Sequence, residues 1–190
     1  DGWLQDAIHH HYNAGTTSGD WYKGQPDERG IPLSTMRDGT PRGYAFLNIE
    51  GNRYTIDYRV AGKSQDYQME IYSPMVVEQN MNTSAGIYVN FFMGSEYDSV
   101  FFRVGKGVWK KMSRISDYDP SYLHLLHEWD FASELPKGRR PSHPVDCHHL
   151  WYAPIPVNLP AGEQIIEVKA TDLFGRTFTG TGSYRVVVRP

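Results

Sequence analysis

Hydrophobic and polar residues alternate with a period of two along much of the chain, as they do in half-buried β-strands. The clearest example is a hairpin whose arms, residues 46–50 and 53–60, flank the two-residue turn Gly51-Asn52. On its second arm, one face carries the apolar side chains Tyr54, Ile56, Tyr58 and Val60. Further short strands are predicted at 7–13, 68–72, 87–92, 99–104, 108–113 and 148–153.

The alternating pattern near the C-terminal end of the chain predicts a second, longer hairpin. Its arms are residues 163–171 and 177–188, joined by a turn at 172–175. The side chains expected to face inward are Ile166, Val168, Ala170, Tyr184, Val186 and Val188. A long closing hairpin after several short strands is typical of a β-sandwich. We therefore predict an all-β fold whose C-terminal half is an immunoglobulin-like β-sandwich, preceded by a hairpin-rich β layer.

One short helix is predicted to interrupt this pattern at Asp119-Pro120. Aspartate caps free backbone N–H groups, and proline suits the first helical position. Glycine and proline between 136 and 144 then prevent regular structure. Residues 75–84 are predicted to connect an N-terminal β region, 1–81, to the sandwich, 82–190. We expect these two regions to pack as one compact unit.

Residues 14–44 form an unusually long irregular segment that is rich in glycine and proline. Loops in compact domains usually have about 4–6 residues, and a much longer one is either functional or disordered. Trp21, Tyr22, Met36 and Tyr44 supply the segment with apolar anchors of its own. We therefore predict that this long loop is ordered.

The long loop also holds the residues most suited to contact a partner. An aromatic pair beside charged residues serves either to stack on a sugar or a base, or to dock on another domain. We favour docking, with Trp21, Tyr22, Asp38 and Arg42 as the contact residues. The alternative is an independent carbohydrate-binding β-sandwich module that uses the same aromatic pair.

Loop carboxylates leave a third interpretation open. A small hydrolase could use a pair among Asp20, Asp27, Glu28 and Asp38 for acid–base chemistry. Carboxylates in such loops more commonly cap turns. The sequence contains no G-x-S-x-G elbow, no P-loop and no dinucleotide-binding glycine motif.

Composition excludes several classes of function. The 190 residues carry a net charge of −3 and contain no basic block, so we expect no nucleic-acid partner. No apolar run reaches the roughly 18 residues of a membrane span. The single cysteine, Cys147, excludes an internal disulfide. The chain begins at Asp1 without a signal-peptide pattern, so we interpret it as a mature piece or an excised domain.

Two histidine-rich stretches invite a metal interpretation that their spacing does not support. Adjacent strand residues point to opposite faces, so at most two of the three residues in 9–11 could share an ion. Two histidines without a nearby carboxylate make an incomplete site. The second stretch contains His143, Asp146, Cys147, His148 and His149, and its last two residues diverge on a strand. We predict no metal and no cofactor.

Several stretches resemble a known family over about residues 8–190. They are AGTTSGDWYKG (14–24), DERGIP (27–32), TMRDGTPRGYAFLNIEGNRYTIDYRVAG (35–62), YQMEIYSP (67–74), VWKKMSRISDYDPSY (108–122) and LPAGEQIIEVKATDLFGRTFTGTGSYRVV (159–187). All are similar to the C-terminal region of bacterial, Bacteroidetes-type calcineurin-like metallophosphoesterases. The resemblance implies a three-part parent protein: an N-terminal β domain, a catalytic domain with two metal ions, and this region.

The same resemblance implies that the chain is not catalytic by itself. The family's catalytic motifs include G-N-H and G-H-x-H, and neither occurs in this sequence. Gly19-Asp20 matches a further G-D motif, but it is too short to be informative. Two metal ions need many His, Asp and Asn ligands, so no catalytic residue is assigned here.

As a partner, the resemblance implies the catalytic phosphoesterase domain of the same parent chain. The accessory region would pack on that domain and shape its substrate cleft, with a phosphoester or glycan substrate nearby. The implied location is periplasmic or secreted. Separated from its partner, such a docking patch would be exposed, so we expect the isolated chain to self-associate.

Overall fold

A computed structural model describes residues 10–189, and these residues form eleven β-strands and one α-helix. The strands are β1 Gly43–Glu50, β2 Arg53–Val60, β3 Met69–Tyr72, β4 Val76–Glu78, β5 Gly86–Phe91, β6 Ser99–Val104, β7 Lys110–Lys111, β8 Ser113–Asp117, β9 Cys147–Pro154, β10 Gly162–Thr171 and β11 Thr177–Val187; the helix, α1, is Pro120–Asp130. The predicted all-β class with one short helix is confirmed.

Nine of the strands form a sandwich of two sheets. Their orders are β4-β11-β10-β6-β7 and β3-β5-β9-β8. Side chains from both sheets share one hydrophobic core, in which Trp151, Ile166 and Val168 are almost fully buried. Burial of apolar area at roughly 25 cal/mol per Å² is the main favourable contribution to such a core. The immunoglobulin-like assignment stays a prediction.

The predicted closing hairpin is confirmed. β10 and β11 pair from Gly162↔Val186 to Thr171↔Thr177. Their turn is held by Asp172, whose Oδ1 accepts from the backbone N–H groups of Phe174 (3.0 Å) and Arg176 (2.8 Å). The predicted inward residues are buried except Val188, which is 63% exposed. That prediction was wrong because β11 ends at Val187.

The first hairpin is also confirmed, and it forms a sheet of its own from β1 and β2. Gly51 has a φ of 60°, as a tight two-residue turn requires. At the base of the hairpin, Tyr58 and Val60 pack with Phe92 in a second, smaller core. Arg176 donates to Asp57 across 2.5 Å. These contacts attach the hairpin to the sandwich.

Two sequence predictions around the sandwich edges were wrong in detail. The predicted connector 75–84 contains β4, which pairs in parallel with Arg185–Val187 of β11. The predicted strand 108–113 is divided between β7 and β8, which belong to different sheets. Buried Met112 lies between the two strands. β3 and β4 precede position 82 but lie in the sheets of the sandwich, while the division of the chain into 1–81 and 82–190 stays a prediction.

The predicted strand 7–13 and the 9–11 histidine stretch lie partly outside the described residues. Their described part, 10–13, belongs to no strand.

The helix begins as predicted. Asp119 is its N-cap, and its Oδ1 accepts from the Tyr122 N–H at 2.8 Å. Tyr122 and Leu126 form the buried face, while His124 and His127 lie on the exposed face. Within residues 10–189, no helix is long and apolar enough to cross a membrane.

Candidate functional site: the aromatic loop and its buried anchor

The long loop is folded on itself by backbone hydrogen bonds. The N–H of Ser34 donates to Lys23 O at 3.0 Å, and the N–H of Leu33 donates to Gln25 O at 3.0 Å. Gly19 makes the crossing possible, because a Cβ at this position would lie 1.6 Å from Ser34 O. Hydrogen bonds between its own backbone groups therefore explain why the loop is ordered, as its sequence predicts.

A second irregular segment, 139–145, braces the loop. The N–H of Ser142 donates to Asp20 Oδ2 at 3.0 Å, and Asp20 is 6% exposed. Arg37 Nε donates to His143 O at 2.7 Å, and the N–H of Val145 donates back to Arg37 O at 3.1 Å. Each segment supplies hydrogen-bond partners for backbone N–H or C=O groups of the other. These groups therefore need no partner in a sheet.

Trp21 and Tyr22 stand on an exposed turn of this braced loop. Their side chains are 77% and 51% exposed, and their φ angles are 55° and 53°. Bulky residues rarely adopt this left-handed conformation, which costs about 1–3 kcal/mol and tends to occur at functional sites. The turn is held by the Tyr22 N–H, which donates to Ser18 O at 3.0 Å.

Asp38, which we predicted beside the aromatic pair, contacts a different set of residues. One carboxylate oxygen, Oδ2, lies 3.4 Å from His149 Nε2, and the other accepts from the Thr40 N–H at 2.9 Å. Among the described residues, no hydrogen bond or ion pair links Asp38 to Trp21 or Tyr22. The predicted four-residue contact site is therefore not brought together by such bonds.

His149 and its neighbours form a polar cluster, which we define as Asp38, Thr40, Asn90, Asp119 and His149; all but the half-buried Asp38 are buried. The amide of Asn90 connects its two ends: Nδ2 donates to Asp119 Oδ2 at 3.0 Å, and Oδ1 lies 2.8 Å from His149 Nδ1. Because Oδ1 can only accept, the proton of this bond belongs to the imidazole. The cluster joins the long loop, β5, β9 and the start of α1.

The pKa values of the two carboxyl groups of the polar cluster are shifted in opposite directions. For Asp38, burial favours the neutral form, but hydrogen bonds and charge from His149 and bonds from Thr40 outweigh it and lower its pKa. For Asp119, burial dominates over the bonds from Tyr122 and Asn90 and raises the pKa. The cluster therefore favours a charged carboxylate on the loop side.

The stability of the fold is expected to depend on the ionisation of Asp38. Its folded-state pKa lies below the ordinary 3.8, so its contribution is complete at neutral pH and is lost as the pH falls through that folded-state pKa. The free energies of unfolding of the wild type and Asp38→Asn should differ more at neutral pH than at an acidic pH below the ordinary pKa of 3.8. Urea denaturation at both pH values measures this, and a difference independent of pH would contradict it.

The remaining metal and nucleophile candidates are separated by the strand geometry. Cys147 is fully buried beside His149, and burial raises the pKa of its thiol. His148 points outward, with its Nδ1 3.0 Å from Ser116 Oγ. The Asp146 carboxylate and the His148 imidazole both contact the hydroxyl of the exposed Ser116. Within the described part of the chain, no group of three or more His, Cys, Asp or Glu could hold a metal ion.

The family comparison covers most of the chain. A family model described as the C terminal of calcineurin-like phosphoesterase matches residues 11–178. A search of curated proteins found no match. The matched range includes the long loop, the polar cluster and most of both sheets, so the predicted resemblance to the C-terminal region of calcineurin-like phosphoesterases is confirmed, while its bacterial type stays a prediction. The chain belongs to the family of C-terminal domains of calcineurin-like phosphoesterases.

Proposed function

We propose that this chain is a non-catalytic accessory domain that packs on a metal-dependent phosphoesterase catalytic domain through Trp21 and Tyr22. In this arrangement the aromatic turn forms one wall of the substrate cleft. The observation that carries the proposal is the 77% exposure of Trp21 on a turn of left-handed backbone. Hydrogen bonds to residues 142 and 143 hold the loop that carries this turn in place. Family membership supports the identity of the partner.

The physical advantage of this turn is that its conformation is set before binding. Tryptophan and tyrosine are enriched among the residues that dominate interface energies. Fixing them in advance reduces the conformational entropy lost on association.

The contacts of the loop carboxylates support an accessory role over the hydrolase alternative. Asp20 accepts from Ser142, and Asp27 accepts from the N–H groups of Arg29 and Ile31, each at 2.9 Å. Asp38 belongs to the polar cluster. These carboxylates hold the backbone of the loop in place, which is the capping use expected of acidic residues in turns.

Binding measured between separate domains tests the proposal. With the catalytic domain of the parent polypeptide expressed separately, calorimetric titration with Trp21→Ala should give about 30-fold weaker binding than the wild-type chain, as expected for a hot spot of about 2 kcal/mol. Trp109→Ala is the matched control, because Trp109 is also exposed (41%) but packs against Arg103 of β6. Equal affinities for Trp21→Ala and the wild type would contradict the proposal.

The carbohydrate-binding alternative rests on the same exposed ring and can be tested on the chain alone. Soluble polysaccharides would be titrated while tryptophan fluorescence is followed. Under our proposal the fluorescence does not change. A saturable change that is lost in Trp21→Ala would instead assign the aromatic turn to glycan binding.

We further propose a periplasmic or secreted location for the parent protein, supported by the resemblance to bacterial chains of this type. The coding sequence that adjoins the chain tests both this location and the identity of the partner. It should encode a phosphoesterase domain with the G-N-H and G-H-x-H motifs, and a signal peptide upstream of it.

A further inference from the structure

A groove with a volume of about 500 Å³ lies between the long loop, the turn that follows β2 and the start of α1. Three cationic side chains line it: Arg29, Arg42 and Lys63. Tyr67 and Tyr72 line it as well. Arg42 is the fourth residue that we predicted from the sequence as a contact residue, and it lies in this groove.

The three cations converge on one turn. The N–H of Ala61 donates to Arg42 O at 2.9 Å, which places Arg42 opposite the turn, and Lys63 is part of it. Arg29 reaches the turn from the long loop, because a Cβ on Gly62 would lie 3.0 Å from Arg29 Nη2. These contacts bring the three cationic residues to the turn that borders the groove.

The charges of the groove are only partly compensated. Arg29 pairs with Asp27 at 3.1 Å. For Arg42 and Lys63, no carboxylate of the described residues lies within 4.0 Å. Glu70, the other acidic residue of the groove, accepts from the Tyr67 hydroxyl. Arg42 and Lys63 therefore face the groove without an ion pair, and the three cations and two carboxylates of the groove leave it a net charge of +1 in a chain whose net charge is −3.

We propose that this groove binds a phosphate monoester, with Arg42 and Lys63 as the residues that hold the phosphoryl oxygens. A phosphate monoester offers three terminal oxygens as hydrogen-bond acceptors, enough for a guanidinium and an ammonium to bind together, whereas a carboxylate offers two. The planar guanidinium of Arg42 can donate two parallel hydrogen bonds to such a group. Lys63 Nζ lies 5.5 Å from the centroid of the Tyr67 ring, which orients the ammonium. Tyr67 and Tyr72 provide a wall for the organic part of the ligand.

The site lies on this chain alone, so its test is independent of the proposed docking. The 190-residue chain would be titrated with inorganic phosphate, phenyl phosphate and acetate, followed by calorimetry. We expect saturable binding of both phosphates in the millimolar range or tighter, with phenyl phosphate tighter than inorganic phosphate and acetate weakest. Binding should weaken with added salt, since the groove is open to solvent.

The decisive comparison uses two double variants of equal net charge. Arg42→Gln with Lys63→Gln removes the proposed contacts and should weaken phosphate binding at least about tenfold. Lys106→Gln with Arg185→Gln removes the same charge from exposed positions outside the groove and should leave binding unchanged. Matching melting temperatures would verify that all the proteins are folded.

Three results would overturn the proposal. The first is the absence of saturable phosphate binding by the wild type. The second is an equal loss of affinity in both double variants, which would indicate only a general effect of net charge. The third is acetate binding as tightly as phosphate, which would show that the groove does not select a phosphoryl group.

Discussion

Replacing Asn90 by aspartate is expected to destabilise the fold by about 2–4 kcal/mol at neutral pH, because two buried acceptors lose the donor that satisfies them. Asn90 is 1% exposed, and its Nδ2 donates to Asp119 Oδ2 at 3.0 Å and to Asp38 O at 3.2 Å. Aspartate has nearly the same shape but cannot donate these bonds. It would also place a further carboxyl group against Asp119.

Urea denaturation at neutral and acidic pH measures this effect. The loss of stability should become smaller at acidic pH, because protonation removes the repulsion between the carboxyl groups. Asn158→Asp is the control, since Asn158 is exposed and a surface substitution usually changes stability by less than about 0.5 kcal/mol. If Asn90→Asp and Asn158→Asp had equal effects, the polar cluster would have no role in stability.

Replacing Gly39 by alanine should destabilise the fold by about 2–5 kcal/mol. A Cβ at this position would lie 2.3 Å from Cγ of Asp119, and the φ of Gly39 is 86°. The left-handed backbone accounts for about 1–2 kcal/mol, and the steric overlap with a buried residue for about 1–3 kcal/mol. Because Asp119 caps α1, its displacement would also weaken the start of the helix.

Gly30 provides a matched control within the same loop. Its φ is 76°, and no atom would lie within 4 Å of an added Cβ. Gly30→Ala therefore reports the backbone contribution alone, and the difference between the two variants measures the contact with Asp119. Equal destabilisation by the two substitutions, measured by thermal or urea unfolding, would show that the loop is not packed on Asp119 in the way described.

The elements that sequence reasoning predicted correctly are those determined by local interactions. The first hairpin follows from Gly51-Asn52 and the alternation that flanks it, and α1 follows from the capping preference of Asp119. β4 has only three residues, and its partner in β11 begins at Arg185, more than a hundred positions later. No local pattern indicates a parallel pairing of this kind.

The polar cluster could not be predicted for the same reason. Asp38 and His149 are 111 positions apart, and Asn90 is 59 positions from His149. From the sequence, Asp38 was interpreted as a neighbour of Trp21 because both belong to the long loop. Asp119 was recognised as a helix cap, but the contact of its second carboxylate oxygen with Asn90 depends on how β5 and α1 pack.

The long loop shows how the cluster and the proposed function are connected. Gly39 and Thr40 hold the C-terminal part of the loop on the sandwich, and Asp20 and Arg37 attach the loop to residues 142–145. The aromatic turn at Trp21 is thereby fixed from two sides. Variants that release the loop should consequently weaken docking, even though they leave both aromatic rings in the sequence.

Hydrogen exchange measured by mass spectrometry tests the docking role of the aromatic turn most directly. The chain would be compared alone and joined to the phosphoesterase catalytic domain of its parent polypeptide. We predict that amides of residues 17–24 exchange markedly more slowly in the joined protein, while those of the sandwich core are unchanged. Identical exchange at 17–24 in the two forms, with new protection elsewhere on the surface, would contradict the proposed docking role of Trp21 and Tyr22.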